Sequence, residues 1–300
     1  MIAFARRLAH FHFTFIFLST ILLLTCYKVP KVMSLAATAA SKKRIVVVGG
    51  GIQGTSVAYH LAERGVHVTL LESQQPASAA SGKGGGFMAR SWGDGSATQR
   101  LHELSFDLYE TMAPQLGCTS YRKLPVLSVA PQYDGIKAAQ KNKELSKILP
   151  RWLDGTAGRI SALGWGDDTA QITPAEFVHK MLEAKKDSID LVLGTCVGVE
   201  TDQGSERGTR KITGVKYRPK DASEDNNELV PSDAVIISAG PWSCAAEDWF
   251  PASQLKLPME GIKSTSIVWQ KPPDTDSVDA TALFCGEDNR YGTHCKYCLP

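Results

Sequence analysis

The stretch 44–73, RIVVVGGGIQGTSVAYHLAERGVHVTLLES, decides the fold class. Residues 45–48 are apolar and β-branched, which is typical of a strand buried in a parallel sheet. Gly49, Gly51 and Gly54 follow this strand in the spacing G-x-G-x-x-G. Glycine loses the most backbone entropy on folding, so a glycine run between a strand and a helix needs a structural reason.

A site for a diphosphate supplies that reason. Gly49 would allow the tight turn, Gly51 would let the backbone approach a pyrophosphate, and Gly54 would let helix and strand pack closely. A helix is predicted from about Gly51 to Arg64, and its N-terminal amides and positive dipole end would face the phosphates. The alternative is a strand–turn–helix unit whose glycines serve packing alone.

Glu72 closes the motif at the carboxyl end of a second predicted strand, VHVTLLE. It lies roughly 20 residues beyond the glycines, the distance expected of the acid that accepts hydrogen bonds from a ribose. An acid here disfavours a 2′-phosphate and therefore NADP. The motif alone leaves both FAD and NAD open.

The following segment, SQQPASAASGKGGGFMARSW, separates these two ligands. A plain NAD domain would pass through a short loop into a second crossover helix. This loop is instead rich in glycine, alanine and serine, with Lys83 inside it. The arrangement GGGIQG…LLES…ASAASGKGGG resembles the amino-terminal part of the D-amino-acid-oxidase-type FAD-dependent oxidoreductases, a family that includes glycine oxidase and sarcosine oxidase.

Two later segments extend the resemblance to about Lys263. Residues 170–200 resemble the family's helix–strand segment, in which backbone near Val197 contacts the adenine. AVIISAGPWS at 234–243 resembles the family signature whose glycine, here Gly240, comes near the cofactor. Trp242 by itself would be expected in the core.

The resemblance implies FAD as the cofactor and an α/β fold: a Rossmann-like FAD-binding domain (GR2-type) with an interleaved antiparallel-sheet substrate domain. The predicted cofactor-binding residues are Gly49, Gly51, Ile52, Gln53, Gly54, Glu72, Ser73, Ser81, Gly82, Lys83, Gly84, Gly85, Val197 and Gly240. The predicted parts are 1–41 (signal, anchor or non-native extension), 42–86 and 170–250 (FAD-binding domain), and 87–169 and 251–300 (substrate domain, the second part incomplete).

The implied chemistry is oxidation of the C–N bond of an amino acid or secondary amine by hydride transfer to flavin N5. Oxygen or another electron acceptor would then reoxidise the flavin. A substrate carboxylate would call for an arginine, which can hold it with two parallel hydrogen bonds. Arg90, Arg122 and Arg151 are candidates, although charged residues are mostly solvated; Lys83 and Lys263 are weaker candidates. No catalytic residue is assigned. A non-catalytic flavoprotein in sorting or assembly and an NAD-binding Rossmann protein remain as alternatives.

The N-terminal segment has two interpretations. Arg6 and Arg7 precede an apolar run over 11–26, which is shorter than a spanning helix and suits a signal peptide or a short anchor. The chain would then enter the secretory or endomembrane system, with membrane attachment through that run. A start at Met33 would instead give a cytoplasmic protein, with association with endosomes as a further option.

The remaining features narrow the function classes. The net charge is +2 with scattered Lys and Arg, which argues against nucleic-acid binding. Seven scattered cysteines do not form a disulfide framework, and HCKYC at 294–298 lacks a second ligand pair, so no metal site is predicted. Family members end with a second Gly-rich segment that is not found before Pro300, so a C-terminally truncated chain is expected. The helix predicted in LHELSFDLYETMAPQLG is expected to bury one apolar face, formed by Leu101, Leu104, Leu108 and Met112.

Overall fold

A largely parallel sheet carries the motif residues. The structure is a computed structural model that describes residues 43–131, 139–153, 157–203, 210–250, 256–263, 265–268, 270–271, 273 and 277–285. In these residues, β1 (Ile45–Val48) lies between β2 (Val68–Glu72) and β11 (Ala234–Ile237), parallel to both. The two strands predicted from the glycine motif are therefore confirmed.

The sheet continues past β2 into an antiparallel meander. β8 (Ile189–Gln203) pairs in parallel with β2 through its first residues and then antiparallel with β9 (Arg210–Pro219). β10 (Glu228–Pro231) pairs antiparallel with β9. Within the described residues the strand order is β10-β9-β8-β2-β1-β11.

Both faces of the parallel strands are covered. Helix α1 (Ile52–Glu63) packs Ala58 and Ala62 against Val47 and Leu70 on one face, where Leu182 of helix α4 (Pro174–Ala184) also contacts the core. Val46, Val48 and Leu71 point to the other face and pack with Val215 of β9. This double coverage explains the continuous apolar run in β1.

Two smaller sheets lie between and after these elements. β3 (Phe87–Ala89), β7 (Thr169–Gln171) and β4 (Arg122–Lys123) form an antiparallel sheet with β7 in the middle. β5 (Val126–Pro131) pairs antiparallel with β6 (Ala157–Gly164) and parallel with β12 (Ala282–Cys285). Further helices are α2 (Ala80–Lys83), α3 (Gln99–Gln115) and α5 (Ala246–Trp249), and 3-10 turns lie at Leu145–Lys147 and Gly240–Ala245.

Helix α3 forms where it was predicted but turns differently. Leu101, Leu104 and Leu108 are 61%, 58% and 39% exposed, while Phe106 and Ala113 are buried. Phe106 lies two residues from both Leu104 and Leu108, roughly 200° around the helix, so the buried face is on the other side. The expectation that these leucines face the core is wrong, since the helix turns the opposite side, which carries Phe106, inward. Met112 does pack against the core.

Trp242 also departs from the expectation for a lone tryptophan. Its side chain is 66% exposed, in the 3-10 turn directly after β11. Pro241 and Trp242 therefore leave the sheet edge toward solvent.

The chain divides into two compact units, Met1–Lys42 and Lys43–Pro300. The first unit lies outside the described residues. The predicted apolar segment 11–26 and the motif at 294–298 consequently have no structural description. Across the described residues, none of the helices is long and apolar enough to cross a membrane. Nor do three His, Cys, Asp or Glu side chains of the described part come together as a metal site.

Candidate cofactor site

The first position of the turn after β1 accommodates only glycine. Gly49 has φ +105°, and a Cβ placed there would lie 2.4 Å from the backbone oxygen of Ser238. The Gly49 amide donates to the Leu71 carbonyl at 2.8 Å, and the Ser238 amide donates to the Val48 carbonyl at 2.8 Å. The carboxyl ends of β1, β2 and β11 are thereby held together around one turn.

The helix that follows starts close against this turn. A Cβ on Gly54 would lie 1.9 Å from the Gly49 carbonyl oxygen, so the predicted role of Gly54 in helix–strand contact has a direct steric basis. Gly51 is the N-cap of α1, and Ile52 and the exposed Gln53 form its first turn. Unpaired amides at such a helix end, together with the helix dipole, favour an anion.

The serine- and glycine-rich loop lies across this helix end. The Ser81 hydroxyl oxygen accepts a hydrogen bond from the Ile52 amide at 2.9 Å, and a Cβ on Gly51 would stand 3.0 Å from the same oxygen. Two segments almost thirty residues apart in sequence thus meet where the diphosphate was predicted. The absence of a side chain on Gly51 is what permits this approach.

Glu72 occupies the end of β2. Its Oε2 accepts a hydrogen bond from the Gly50 amide at 2.7 Å, and its Oε1 accepts from the Gln74 amide at 2.9 Å and the Ser73 hydroxyl at 3.2 Å. A carboxylate oxygen can accept more than one hydrogen bond. The carboxylate is therefore fixed at the strand end by backbone donors and keeps acceptor capacity for a hydroxyl pair.

The loop between Glu72 and β3 is itself tightly folded at both ends. The Ala77 amide donates to the Gly50 carbonyl at 3.0 Å, and a Cβ on Gly82 would lie 1.8 Å from the Ala77 carbonyl oxygen. Lys83, Gly84 and Gly85 are exposed. Lys83, Gly84 and Gly85 thus form an exposed part of the loop directly after the Ser81 contact.

Val197 and Gly240 complete the predicted set. Val197 falls at a register shift between Cys196 and Gly198, beyond the part of β8 that pairs with β2, and is 37% exposed. Gly240 follows β11 with φ +56°. Burial raises the pKa of the neighbouring Cys196 thiol to about 11, so this sulfur stays protonated at neutral pH.

The structure therefore brings the predicted residues to one edge of the parallel sheet, beyond the carboxyl ends of its strands. Open α/β sheets bind ligands in this crevice. Gly49 and Gly54 permit the close contacts that form the turn and seat the helix against it, the Ser81 loop meets the helix end at Gly51, and Glu72 offers acceptors for a ribose. The residues present fit the adenosine diphosphate part of FAD.

The arginines considered for a substrate carboxylate hold other partners. Arg90 pairs with Asp107 at 3.1 Å and Arg151 with Asp279 at 3.0 Å, and each pairing raises the pKa of the guanidinium. Arg122 donates to the Gln171 side chain. Lys83 and Lys263 are exposed. These contacts agree with the surface interpretation of all five cations, and they single out no catalytic residue.

Comparison with known proteins decides the family. Residues 44–297 match the model of the DAO family, the FAD-dependent oxidoreductases. The chain belongs to this family. The predicted resemblance, the Rossmann-like fold and FAD as the family's cofactor are thereby confirmed.

The relatives that this chain matches are longer than the chain itself. Oxidoreductase C1F5.03c of Schizosaccharomyces pombe, whose name gives its assignment as provisional, is 29% identical over an alignment 226 residues long that covers 68% of this chain and 56% of that protein. The 4-methylaminobutanoate oxidase (formaldehyde-forming) of Paenarthrobacter nicotinovorans is 38% identical over 247 residues, covering 72% of this chain and 26% of that protein. Glycine oxidase from Bacillus cereus ATCC 14579 shares the fold, with a TM-score of 0.54 and 22% identity over 70% of this chain and 60% of that chain. The chain spans about half the length of the S. pombe relative.

Some contacts of the DAO-family site were not predicted. Gly50 holds Glu72 through its amide, and the run of three glycines was a usable signal for it. Gln171 donates to the Gly85 carbonyl from 86 residues away, and no local pattern marks such a residue.

Proposed function

We propose that this chain binds FAD and oxidises the C–N bond of an amino acid or a secondary amine. The observation that carries the proposal is the meeting of the Gly49–Gly54 turn, the Ser81 loop and Glu72 at one sheet edge. Family membership supplies the identity of the cofactor. When bound, FAD would supply the hydride acceptor for the carbon that bears the amine.

The chain's own residues hold and orient the cofactor in this proposal. The amides at the start of α1 and the backbone of the Ser81–Gly85 loop would receive the diphosphate. Glu72 would accept hydrogen bonds from the ribose hydroxyls, and backbone near Val197 would contact the adenine. Glu72 is the specific determinant against a 2′-phosphate, because two negative groups would face each other there.

The substrate class is proposed from the names of relatives. One relative is a 4-methylaminobutanoate oxidase and a protein of the same fold is a glycine oxidase. We infer a substrate in which the oxidised carbon carries an amine nitrogen, primary or methylated. The amine would lose two electrons and two protons to become an imine, water would hydrolyse the imine, and oxygen or another electron acceptor would take up the electrons.

A non-catalytic flavoprotein in sorting or assembly is the second candidate. It is favoured by the engagement of Arg90, Arg122 and Arg151 with Asp107, Gln171 and Asp279, which leaves none of these three for a substrate carboxylate. The NAD-binding alternative is set aside by the family assignment.

An absorption spectrum of the purified chain, before and after denaturation, tests cofactor binding. We expect a flavin spectrum and release of FAD on unfolding, and a Glu72→Ala variant with less bound flavin. Anaerobic addition of glycine, sarcosine and 4-methylaminobutanoate then tests chemistry, since a substrate bleaches the flavin. A yellow protein that none of a broad amine panel bleaches would favour the non-catalytic candidate. A colourless protein that FAD cannot reconstitute would refute the proposal for this chain.

A further inference from the structure

One side chain of β7 links the Gly-rich loop before β3 to an arginine of the neighbouring strand β4. Gln171 Nε2 donates to the Gly85 carbonyl oxygen at 3.0 Å. Gln171 Oε1 accepts from Arg122 Nε at 3.1 Å and from Arg122 Nη2 at 2.7 Å. Since a guanidinium only donates and a carbonyl only accepts, these two partners fix the orientation of the Gln171 amide.

The backbone around Gln171 places this link at the end of the loop. Gln171 is the ladder partner of Phe87 on one side and of Arg122 on the other. The Ile172 amide donates to the Gly86 carbonyl at 3.1 Å, and Gly86 has φ +68° with no room for a Cβ beside the Ile172 oxygen. The loop is therefore bound to β7 at the glycine that precedes β3 and, through Gln171, one residue earlier.

Residues Lys83–Gly85, which leave the end of helix α2, are the part of the loop that this contact restricts. They are exposed, and two of the three are glycines with wide backbone freedom. Ordering this segment costs a large amount of backbone entropy. The Gln171 side chain restricts it from one end while Ser81 restricts it at the helix α1 end.

We propose that Gln171 and Arg122 are positioning residues that hold the Gly85 carbonyl and thereby set the path of the Gly-rich loop over the cofactor. Arg122 acts through Gln171, because its two donated hydrogen bonds orient the amide whose nitrogen reaches Gly85. The effect on the cofactor rests on the proposed function, whereas the effect on the loop is measurable in the protein without FAD.

A Gln171→Glu variant separates the two halves of the link. The carboxylate keeps an acceptor for Arg122, now as an ion pair, but it cannot donate to Gly85 and places negative charge beside that carbonyl. We expect tryptic cleavage after Lys83 in the FAD-free protein to rise about five- to tenfold, the effect of losing one hydrogen bond. Cleavage after Lys180 and the thermal midpoint should stay as in the wild type.

The FAD dissociation constant of Gln171→Glu should rise by a similar factor, with an altered visible circular dichroism of the bound flavin. Arg122→Met should give a smaller change of the same kind, and Arg122→Lys should partly restore the wild-type values. Arg100→Met is the matched control, because its side chain is 95% exposed and pairs with Glu103 on the same helix. It should change neither measurement.

Two results would overturn the positioning role. One is a Gln171→Glu variant with wild-type cleavage after Lys83 and wild-type FAD affinity. The other is cleavage that rises equally after Lys83 and Lys180 with a fall in thermal midpoint, which would mark Gln171 as a residue of general stability. A wild type that binds no FAD but still shows the Lys83-specific change in the variant would refute the proposed function while leaving the loop contact in place.

Discussion

At the residue scale, Gly54 shows how one missing side chain shapes the site. Replacing glycine by alanine inside a helix ordinarily stabilises by about 0.5–1 kcal/mol. Here the new methyl would stand 1.9 Å from the Gly49 carbonyl, so the sign should reverse. We expect Gly54→Ala to lower the free energy of unfolding by about 1–3 kcal/mol, measured by urea denaturation.

Gly198→Ala is the control for Gly54, because a Cβ at Gly198 meets nothing within 4 Å. Its free energy of unfolding should stay within about 0.5 kcal/mol of the wild type. A Gly54→Ala variant as stable as Gly198→Ala would show that helix α1 can move away from the turn.

Glu176 gives a prediction for acid stability. Its carboxylate accepts from the Thr119 amide at 2.7 Å, the Thr119 hydroxyl at 2.8 Å and the Ser120 amide at 3.0 Å, and the Ser120 hydroxyl also donates to it. The Ser120 hydroxyl, followed by these other donors, lowers its pKa from 4.5 to about 2. Because the folded-state pKa is the lower one, this stabilisation is complete above pH 4.5 and is lost as the pH falls toward 2.

We therefore expect Glu176→Gln to have a shallower dependence of the free energy of unfolding on pH between pH 4.5 and 2. The slope should fall by the equivalent of up to one bound proton, measured by urea titrations at several pH values. Glu183→Gln, which removes an exposed carboxylate of the same helix, is the matched charge control. Equal slopes in wild type and Glu176→Gln would contradict the hydrogen-bond arrangement at Thr119 and Ser120.

At the element scale, helix α3 offers a test of which face is buried. Phe106 is 3% exposed and Leu104 is 58% exposed. We expect Phe106→Ala to lower the free energy of unfolding by about 3–5 kcal/mol and Leu104→Ala by about 0.5 kcal/mol or less. Chemical denaturation of the two variants, with Arg100→Met as a surface control, measures this. A larger loss for Leu104→Ala would place the leucine stripe in the core.

The contrast between α3 and the glycine motif shows what sequence can predict. Residues 45–72 form β1, α1 and β2 as expected, because their periodicity and glycine spacing are local. The position of Glu72 beside the turn followed from the same spacing. The orientation of α3 did not follow, because its burial depends on what packs against Phe106 from other parts of the chain. The Gln171–Gly85 contact likewise depends on the pairing of β7 with both β3 and β4.

At the scale of the whole molecule, large apolar side chains reach solvent beyond the sheet. Trp242 and Ile267 are 66% and 67% exposed, and Ile262 and Val268 are 91% and 92% exposed. Exposed apolar side chains that form a contiguous patch bind partners, ligands or other copies of a protein. Residues 259–263 and 265–268 carry the exposed side chains of Met259, Ile262, Ile267 and Val268, and we infer that these form such a patch.

We expect the native chain to enhance the fluorescence of an apolar dye and to associate with rising concentration in sedimentation velocity. An Ile262→Lys/Val268→Lys variant should reduce both effects and keep the wild-type thermal midpoint, because neither side chain is buried. Lys263→Gln is a neutral control at a neighbouring exposed position. A wild type that stays monomeric and binds no dye would show that these side chains are covered in solution.

The closure of the cofactor turn by β11 also sets an order of events during synthesis. Arg44 and Asp233 join the start of β1 to the start of β11 across 189 residues, and Gly49 packs against Ser238. A ribosome adding about 5–20 residues per second needs roughly 10–40 s to make that span. For most of this interval β1 and β2 are already made, yet one edge of β1 lacks its neighbour β11 and the turn lacks its contact with Ser238. Until β11 is made, that edge of β1 is open to pairing with other strands.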